Sequence, residues 1–472
     1  VNDPTDEQLD IIQAASLTTD NLMLNAHAGC GKTTTLELVQ ASIKTSKPIL
    51  YLVFAKKNAE EAIEKMPSTT AVKTFNGCGH GIWASTISKN LRLNAKKTQD
   101  ILAALIKETP SRAQGQLWDS FSEVVAGVNM AKAVGYVPEN KFNNAKRLLK
   151  QNEFHRALEE VPDDLTSDLI DAVLSRSILQ AYDGIIDFND QIYMPSLFGG
   201  IFPIYDNILV DEYQDLNPVN HVMIERLAKR RIFGVGDPYQ NIYGFRGAKA
   251  GGMADAVEKY SMKSFPLSIS FRCPEAIVDH VRWRVPHFKA LKPGGEVHAP
   301  EFLDADSIPD SCTIICRNNA PLFRMAFRLL GIGRSVSVAG SDIGPRLIKT
   351  MQKLGPEELT RTQSLQAISD WLEERLAREA KNAIDMAECM KVFVNQSSSL
   401  GTAIAYATHL FQQTGSIRLL TGHKSKGLEF DDVIHLDPQL LSSTEQDKNL
   451  SYVISTRSKN RLTEIQSDSI RW

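Results

Sequence analysis

The sequence predicts an α/β chain built from two parallel-sheet cores, each interrupted by a mostly helical insert. Three observations predict it. An apolar run ending in a glycine-rich turn and a helix opens the chain. A second apolar run, ending in two acids, lies near its middle. Stretches with leucine and alanine at helical spacing separate such runs.

The first strand is NLMLNA, Asn21 to Ala26, apolar and ending in small residues. The turn follows in AHAGCGKTTT, Ala26 to Thr35, and TTTLELVQASI continues as a helix. Gly29 and Gly31 let the backbone bend so that several N–H groups face one anion, and the helix N-terminus adds a favourable dipole. Ala28, Gly29, Cys30, Gly31, Lys32, Thr33 and Thr34 together make a phosphate cradle. In such a cradle Lys32 reaches the β- and γ-phosphates of ATP and the Thr33 hydroxyl holds Mg²⁺. Ala26 stands where the strict pattern has glycine. The bland reading is a chance GKT in an ordinary strand-turn-helix. Against it, strand, turn and helix all fall where phosphate binding needs them.

The second strand is Ile208 to Val210 in ILVDEYQD, with Asp211 at its carboxyl end, where ligands gather in open α/β sheets. Asp211 is the second Mg²⁺ candidate. Glu212 is placed to orient or deprotonate an attacking water. A solvated acidic turn is the alternative, and the upstream cradle argues against it.

These residues, with several others in order, resemble the UvrD/Rep/PcrA helicases of superfamily one over nearly the whole chain. Gln8 in PTDEQLDII resembles a glutamine that reads the adenine edge. LVFAKKNAEEA (Leu52 to Ala62) resembles an element that touches single-stranded DNA, and DFND (Asp187 to Asp190) the element before the acidic strand. GVGDPYQNIYGFRGA, SISFRCPEAI and TGHKSKGLEFDDVIHL resemble three further family segments. The short build and the FAKKNAEEA wording are closer to the F-box-helicase-like and phage branches.

The resemblance implies two RecA-like cores and a set of roles. Gln240 would sense the γ-phosphate, and Arg272 and Arg457 would contact it. A positioned arginine raises phosphoryl transfer by about 10³–10⁵-fold. Phe271, where the family often has tyrosine, would stack on adenine. Glu429 would contact the sugar or order the arginines. For DNA the resemblance points to Phe54, Thr74, Asn76, Tyr243, Phe245, Arg246 and His423. Phe245 replaces the usual tryptophan and Asn76 a common histidine. Phe54, Tyr243 and Phe245 read either as base-stacking rings or as core aromatics.

Spacing of these segments divides the chain. The first core takes residues 1–75 and 184–268, with a helical insert at 76–183 containing KTQDILAALIKE and NNAKRLLKQNEFHRALEEV. The second takes 269–340 and 416–472, with TIICRNN as a strand and FRMAFRLLGIG as the helix after it. Its insert, 341–415, includes SDWLEERLAREAKNAIDMAECMKVF, with Trp371, Leu372, Leu376 and Ile384 as inward positions, and NQSSSLGT as a linker.

Composition sets the outer limits. With 43% apolar and 23% charged residues the chain has ample core. No apolar run approaches a membrane span. Cys312 and Cys316 read as small hydrophobes of a buried strand, since no second ligand pair follows, and free thiols imply a reducing compartment. A net charge of −3 argues against a protein coated in phosphate contacts, yet permits a narrow DNA track. The expectation is a monomeric ATP- and Mg²⁺-dependent helicase or translocase on single-stranded DNA and duplex junctions, moving 3′-to-5′ by family resemblance. A nuclease or a replication or repair factor is the expected kind of protein partner. The location would be cytoplasmic for a bacterial or phage protein and nuclear for a eukaryotic one. The alternatives are a translocase that strips proteins or drives a partner nuclease without unwinding, and an NTP-controlled DNA-binding switch.

Overall fold

The computed structural model describes residues 3–472 except 140, 159–160, 243, 245–246, 249–250, 340–342 and 378–382. The chain forms two compact units, one of Val1–Ala26 and Gly31–Leu267, the other of His27–Cys30 and Ser268–Trp472.

In the first unit the strands are β1 (Leu22–Ala26), β2 (Ile49–Val53), β3 (Thr70–Thr74), β4 (Arg92–Leu93), β5 (Ile185–Ile186), β6 (Tyr205–Val210), β7 (Ala228–Gly236) and β8 (Lys263–Leu267). Six of them make a parallel sheet in the order β3-β2-β6-β7-β1-β8. Every residue of β2, ILYLV, is buried, as a strand covered on both faces requires. Gly234 of β7 lies opposite Met23 of β1 and Val210 of β6. That register brings the glycine-rich turn and the acids Asp211 and Glu212 to the same edge of the sheet. The Asp211 N–H donates to Leu52 O at 3.0 Å, extending the ladder one residue beyond β6.

The helical body of this unit includes Lys97–Glu108, Phe121–Val134, Asp164–Tyr182 and Asp190–Phe198. Its core joins Trp83, Leu102, Val128, Tyr136, Leu174 and Tyr193, and it extends through Ile186 and Leu197. Among its described residues, the expected helix over NNAKRLLKQNEFHRALEEV is helical only at Gln151–Ala157. The preceding helix ends at Gly135 (φ +82°), and the chain doubles back there. Leu148 then packs so tightly on Gly135 that a Cβ would lie 2.5 Å from its Cδ1, while Leu149 bridges Tyr136. Tertiary packing overrides helix propensity in this segment.

The second unit holds β9 (Ile269–Pro274), β10 (Lys289–Lys292), β11 (Glu296–His298), β12 (Leu303–Asp304), β13 (Thr313–Cys316), β14 (Val336–Val338), β15 (Ile417–Thr421), β16 (Phe430–Leu436), β17 (Ser458–Ile465) and β18 (Ile470–Arg471). Its main sheet is parallel in the order β11-β17-β16-β13-β15-β14. Strand and helix fall where TIICRNN and FRMAFRLLGIG place them, at β13 and Asn319–Gly331. Burial pushes the thiols of Cys312 and Cys316 up to about 12, as expected for cysteines in a buried strand.

The helices Ile343–Gln352, Arg361–Ala377, Ala383–Asn395 and Leu400–Gln412 share one apolar core with this sheet. Leu347, Ile368, Met390, Phe393 and Leu410 meet Ile314, Phe323, Leu419 and Leu436 there. Trp371 and Leu372 pack partly against that core, but Leu376 is 47% exposed and Ile384 58% exposed, contrary to their expected inward placing. The described residues of the stretch lie in the helices Arg361–Ala377 and Ala383–Asn395, and 378–382 lie outside the described residues. NQSSSLGT is a short helix-helix turn. Asn395 closes one helix, and the Ser399 hydroxyl caps the next by accepting from the Thr402 N–H. Among the described residues no helix is long and apolar enough to cross a membrane.

Candidate active site

The cradle is assembled by left-handed glycines. Gly29 (φ +71°) and Gly31 (φ +73°) turn the chain out of β1 and into the helix Lys32–Ser42, where a side chain would be strained. No side chain caps that helix N-terminus, so its first N–H groups and dipole are directed at the turn. Lys32 Nζ lies 2.6 Å from Glu212 Oε2. Burial of Lys32 lowers its pKa, but the carboxylates of Glu212 and Asp211 outweigh that and hold the ammonium above its usual range. Asp211 is buried. Its Oδ1 accepts from the Glu212 N–H at 2.8 Å and its Oδ2 from the Tyr51 hydroxyl at 3.1 Å. Burial first, then the charge of Glu212, raises its carboxyl to about 6. Thr33 is half-buried and Thr34 exposed on the first turn of the helix. Gln8 is buried. Its Nε2 donates to the Thr35 hydroxyl at 2.9 Å, while its Oε1 accepts from the Thr5 N–H in a helix-capping pair.

The second unit contains the loop residues His27–Cys30. The Ala28 N–H donates to the Tyr452 hydroxyl at 2.8 Å, Ser270 Oγ donates to Ala28 O at 2.8 Å, and the Phe271 N–H to Gly29 O at 2.9 Å. Phe271 itself is half-buried. Arg272 pairs with Glu429. Arg457 is fully buried, donating to Val453 O at 2.9 Å, Leu428 O at 3.2 Å and the Thr456 hydroxyl at 3.2 Å. Burial, and then the neighbouring charge of Arg272, lowers its pKa to about 10. Two arginines and Glu429 thus form one electrostatic group within this unit.

Of the nucleic-acid candidates, Phe54 is 37% exposed and leans on the buried Phe75 at 5.2 Å between ring centroids. Thr74 is half-buried and caps the helix Phe75–Ile87, its hydroxyl accepting from the Gly77 N–H at 3.0 Å. Asn76 Nδ2 donates to Phe188 O at 2.6 Å and to Gln191 Oε1 at 2.9 Å, which ties it to the DFND segment. His423 is half-buried in the helix Gly422–Ser425. Tyr243, Phe245 and Arg246 lie outside the described residues.

A family model described as UvrD/REP helicase N-terminal domain matches residues 5–261, more than half of the chain. The chain belongs to the UvrD/Rep helicase family. A second model, UvrD-like helicase C-terminal domain, matches residues 416–463. F-box DNA helicase protein 1 of Schizosaccharomyces pombe is 25% identical over an alignment taking in 99% of this chain and 57% of that protein. ATP-dependent DNA helicase PcrA of Leuconostoc citreum is 25% identical, over 58% of this chain and 39% of its own length. An ATP-dependent helicase/nuclease subunit of Natranaerobius thermophilus is 28% identical over 35% of this chain and 16% of its own length. The chain therefore spans little more than half of even the most fully covered of these three.

Around the UvrD/Rep-type cradle, three residues without an assigned role in the sequence stand in contact with the candidates. Tyr51, at the centre of β2, holds Asp211. Gln214 Nε2 donates to Glu212 Oε2 at 2.6 Å, and its Oε1 accepts from the Asp237 N–H at 3.0 Å. Asp237 in turn accepts from Gln240 Nε2 at 2.8 Å. Gln214 and Asp237 sit inside segments already singled out, so the available signal was their place beside Glu212 and Gln240. Tyr51 gave none, because its contact depends on β2 pairing with β6.

Proposed function

We propose that this chain is an ATP-dependent DNA helicase that translocates 3′-to-5′ on single-stranded DNA and couples ATP hydrolysis to unwinding. The observation that carries the reading is the Lys32–Glu212 pair beside Asp211, at the carboxyl edge of a parallel sheet and at an uncapped helix N-terminus. The residues fit ATP and Mg²⁺. An anion is favoured by the helix N-terminus and by Lys32. A magnesium ion would be held by the Thr33 hydroxyl and the Asp211 carboxylate together with phosphate oxygens.

When bound, Mg²⁺ neutralises charge on the transferring phosphoryl group. Lys32 exchanges its partner Glu212 for phosphate oxygens, which leaves the Glu212 carboxylate to take a proton from the attacking water. Gln240 senses the γ-phosphate, and Arg272 and Arg457 supply positive charge during transfer, a role that rests on their positions in family segments. Gln8 and Phe271 hold the base, and Glu429 the sugar. Phe54 stacks on bases, with Thr74, Asn76, Tyr243, Phe245, Arg246 and His423 as further DNA contacts.

Lys32→Ala is expected to abolish DNA-stimulated ATP hydrolysis while single-strand binding persists, and normal turnover in that variant would refute the reading. Strand displacement on a 3′-tailed duplex tests the coupling. The Natranaerobius relative, named as part of a helicase/nuclease, favours one rival, a translocase that drives a partner nuclease. ATPase and translocation without displacement would support that rival.

A further inference from the structure

We propose that Gln214 is the positioning residue that holds Glu212 in place for water activation and links it to Gln240. This rests on Glu212 being the proton acceptor of the proposed hydrolysis. Gln214 lies in the short turn Tyr213–Asp215 and is 2% exposed. Its carboxamide is used at both ends. The N–H side donates to Glu212 Oε2 at 2.6 Å, and the carbonyl accepts from the Asp237 N–H at 3.0 Å. Asp237 is fully buried, and its carboxylate fastens the next turn, accepting from the Tyr239 N–H at 3.0 Å and from Gln240 Nε2 at 2.8 Å. One amide therefore spans the step from the acid at the end of β6 to the glutamine after β7.

Three features make this geometry specific. Lys32 Nζ and Gln214 Nε2 donate to the same oxygen of Glu212. The ammonium is charged and is drawn away by phosphate, whereas a neutral amide has no such competitor. Gln214 then keeps the carboxylate oriented at the moment it is needed. Glu212 also occupies the left-handed region at φ +49°, uncommon for a residue with a side chain and held only where surrounding bonds fix it. The glycine at 236 leaves room for the bridge. A Cβ there would stand 2.3 Å from Gln214 Oε1.

Two substitutions in the full chain separate positioning from packing. Gln214→Met keeps length and volume but removes both hydrogen bonds. Gln214→Glu keeps an acceptor for the Asp237 N–H, loses the donation to Glu212 and sets a second carboxylate against that of Glu212. Both should lower kcat for DNA-stimulated hydrolysis on the order of 10- to 100-fold, part of the roughly 10²–10⁴ that a positioned base contributes. KM for ATP should hold, because the interaction acts after binding. Unchanged kcat in both variants, or a loss confined to KM, would overturn the proposal. A melting temperature equal to wild type in either variant excludes general unfolding as the cause. Glu212→Gln is the control. If it still hydrolyses ATP, the base assignment and this proposal fall together. If it is inactive while both Gln214 variants are active, the proposal alone falls.

Discussion

Asp211 is under opposing forces. Burial and the charge of Glu212 favour its neutral form, while Lys32, the Glu212 N–H and the Tyr51 hydroxyl favour the carboxylate. The first group prevails and the pKa rises to about 6, from 3.8 in an unstructured chain. For an acid, a raised folded value means that stability from this group is present at low pH and lost as pH rises through 6. Asp211→Asn should therefore stabilise the fold at pH 8 by on the order of 1–3 kcal/mol, with the gain fading towards pH 4. The same change removes the proposed metal ligand and should end hydrolysis, an instance of stability given up at a functional site. Urea denaturation at pH 8 and pH 5 checks the sign, and a loss of stability at pH 8 would contradict it. Arg457→Ala should leave ATP binding intact and stop hydrolysis. An unchanged kcat, in the presence of DNA, would reduce that buried guanidinium to a structural anchor. Lys32, Asp211 and Glu212 were legible because their signals are local, an apolar run followed by the charged group. Tyr51 was not, since its role is made by strand pairing.

At the scale of elements, the helical body of the first unit is fastened by four charges that no periodicity shows. Lys132 Nζ lies 2.6 Å from Asp187 Oδ2 and 2.7 Å from Asp190 Oδ1, and Lys97 Nζ 2.6 Å from Asp190 Oδ2, all of them buried. Burial lowers the pKa of Lys97. For Lys132 burial acts the same way, but the attraction of Asp190 and Asp187 outweighs it and the net direction is upward. Lys132→Met would leave two buried carboxylates facing a single ammonium. The expected cost is about 3–5 kcal/mol, the range for breaking a buried ion pair from one side. Lys132→Met with Asp187→Asn should recover much of it, because charge is then removed from both sides. Chemical denaturation of the two variants decides this, and equal stability of single and double variants would rule out the pairing. DFND was recognisable as a segment before the acidic strand, and KTQDILAALIKE as a helix, which forms as Lys97–Glu108. That the first residue of that helix reaches Asp190 is a contact across 93 positions, beyond any window of periodicity. The same limit applies to Leu376 and Ile384, whose exposure is set by what packs around them and not by the period of the helix they lie in.

For the whole molecule, 53 basic and 56 acidic side chains leave a net charge of −3, so any DNA track must be narrow. Single-strand affinity then has two sources that salt separates. Each phosphate neutralised adds about −0.7 to the slope of log K against log salt, whereas stacking adds nothing to it. A track with two to four phosphate contacts gives a slope of roughly −1.4 to −2.8. Phe54, 37% exposed and resting on Phe75, is the described ring proposed to supply the salt-independent share. Phe54→Ala should weaken single-strand binding by about 1–3 kcal/mol and leave the slope unaltered. Fluorescence titrations of a labelled oligonucleotide from low to high salt, on wild type and variant, measure both quantities at once. A wild-type slope steeper than about −5 would mean a broad basic surface instead of a stacked track. A Phe54→Ala slope shallower than wild type would mean that the ring had been holding a phosphate contact in place rather than stacking on a base.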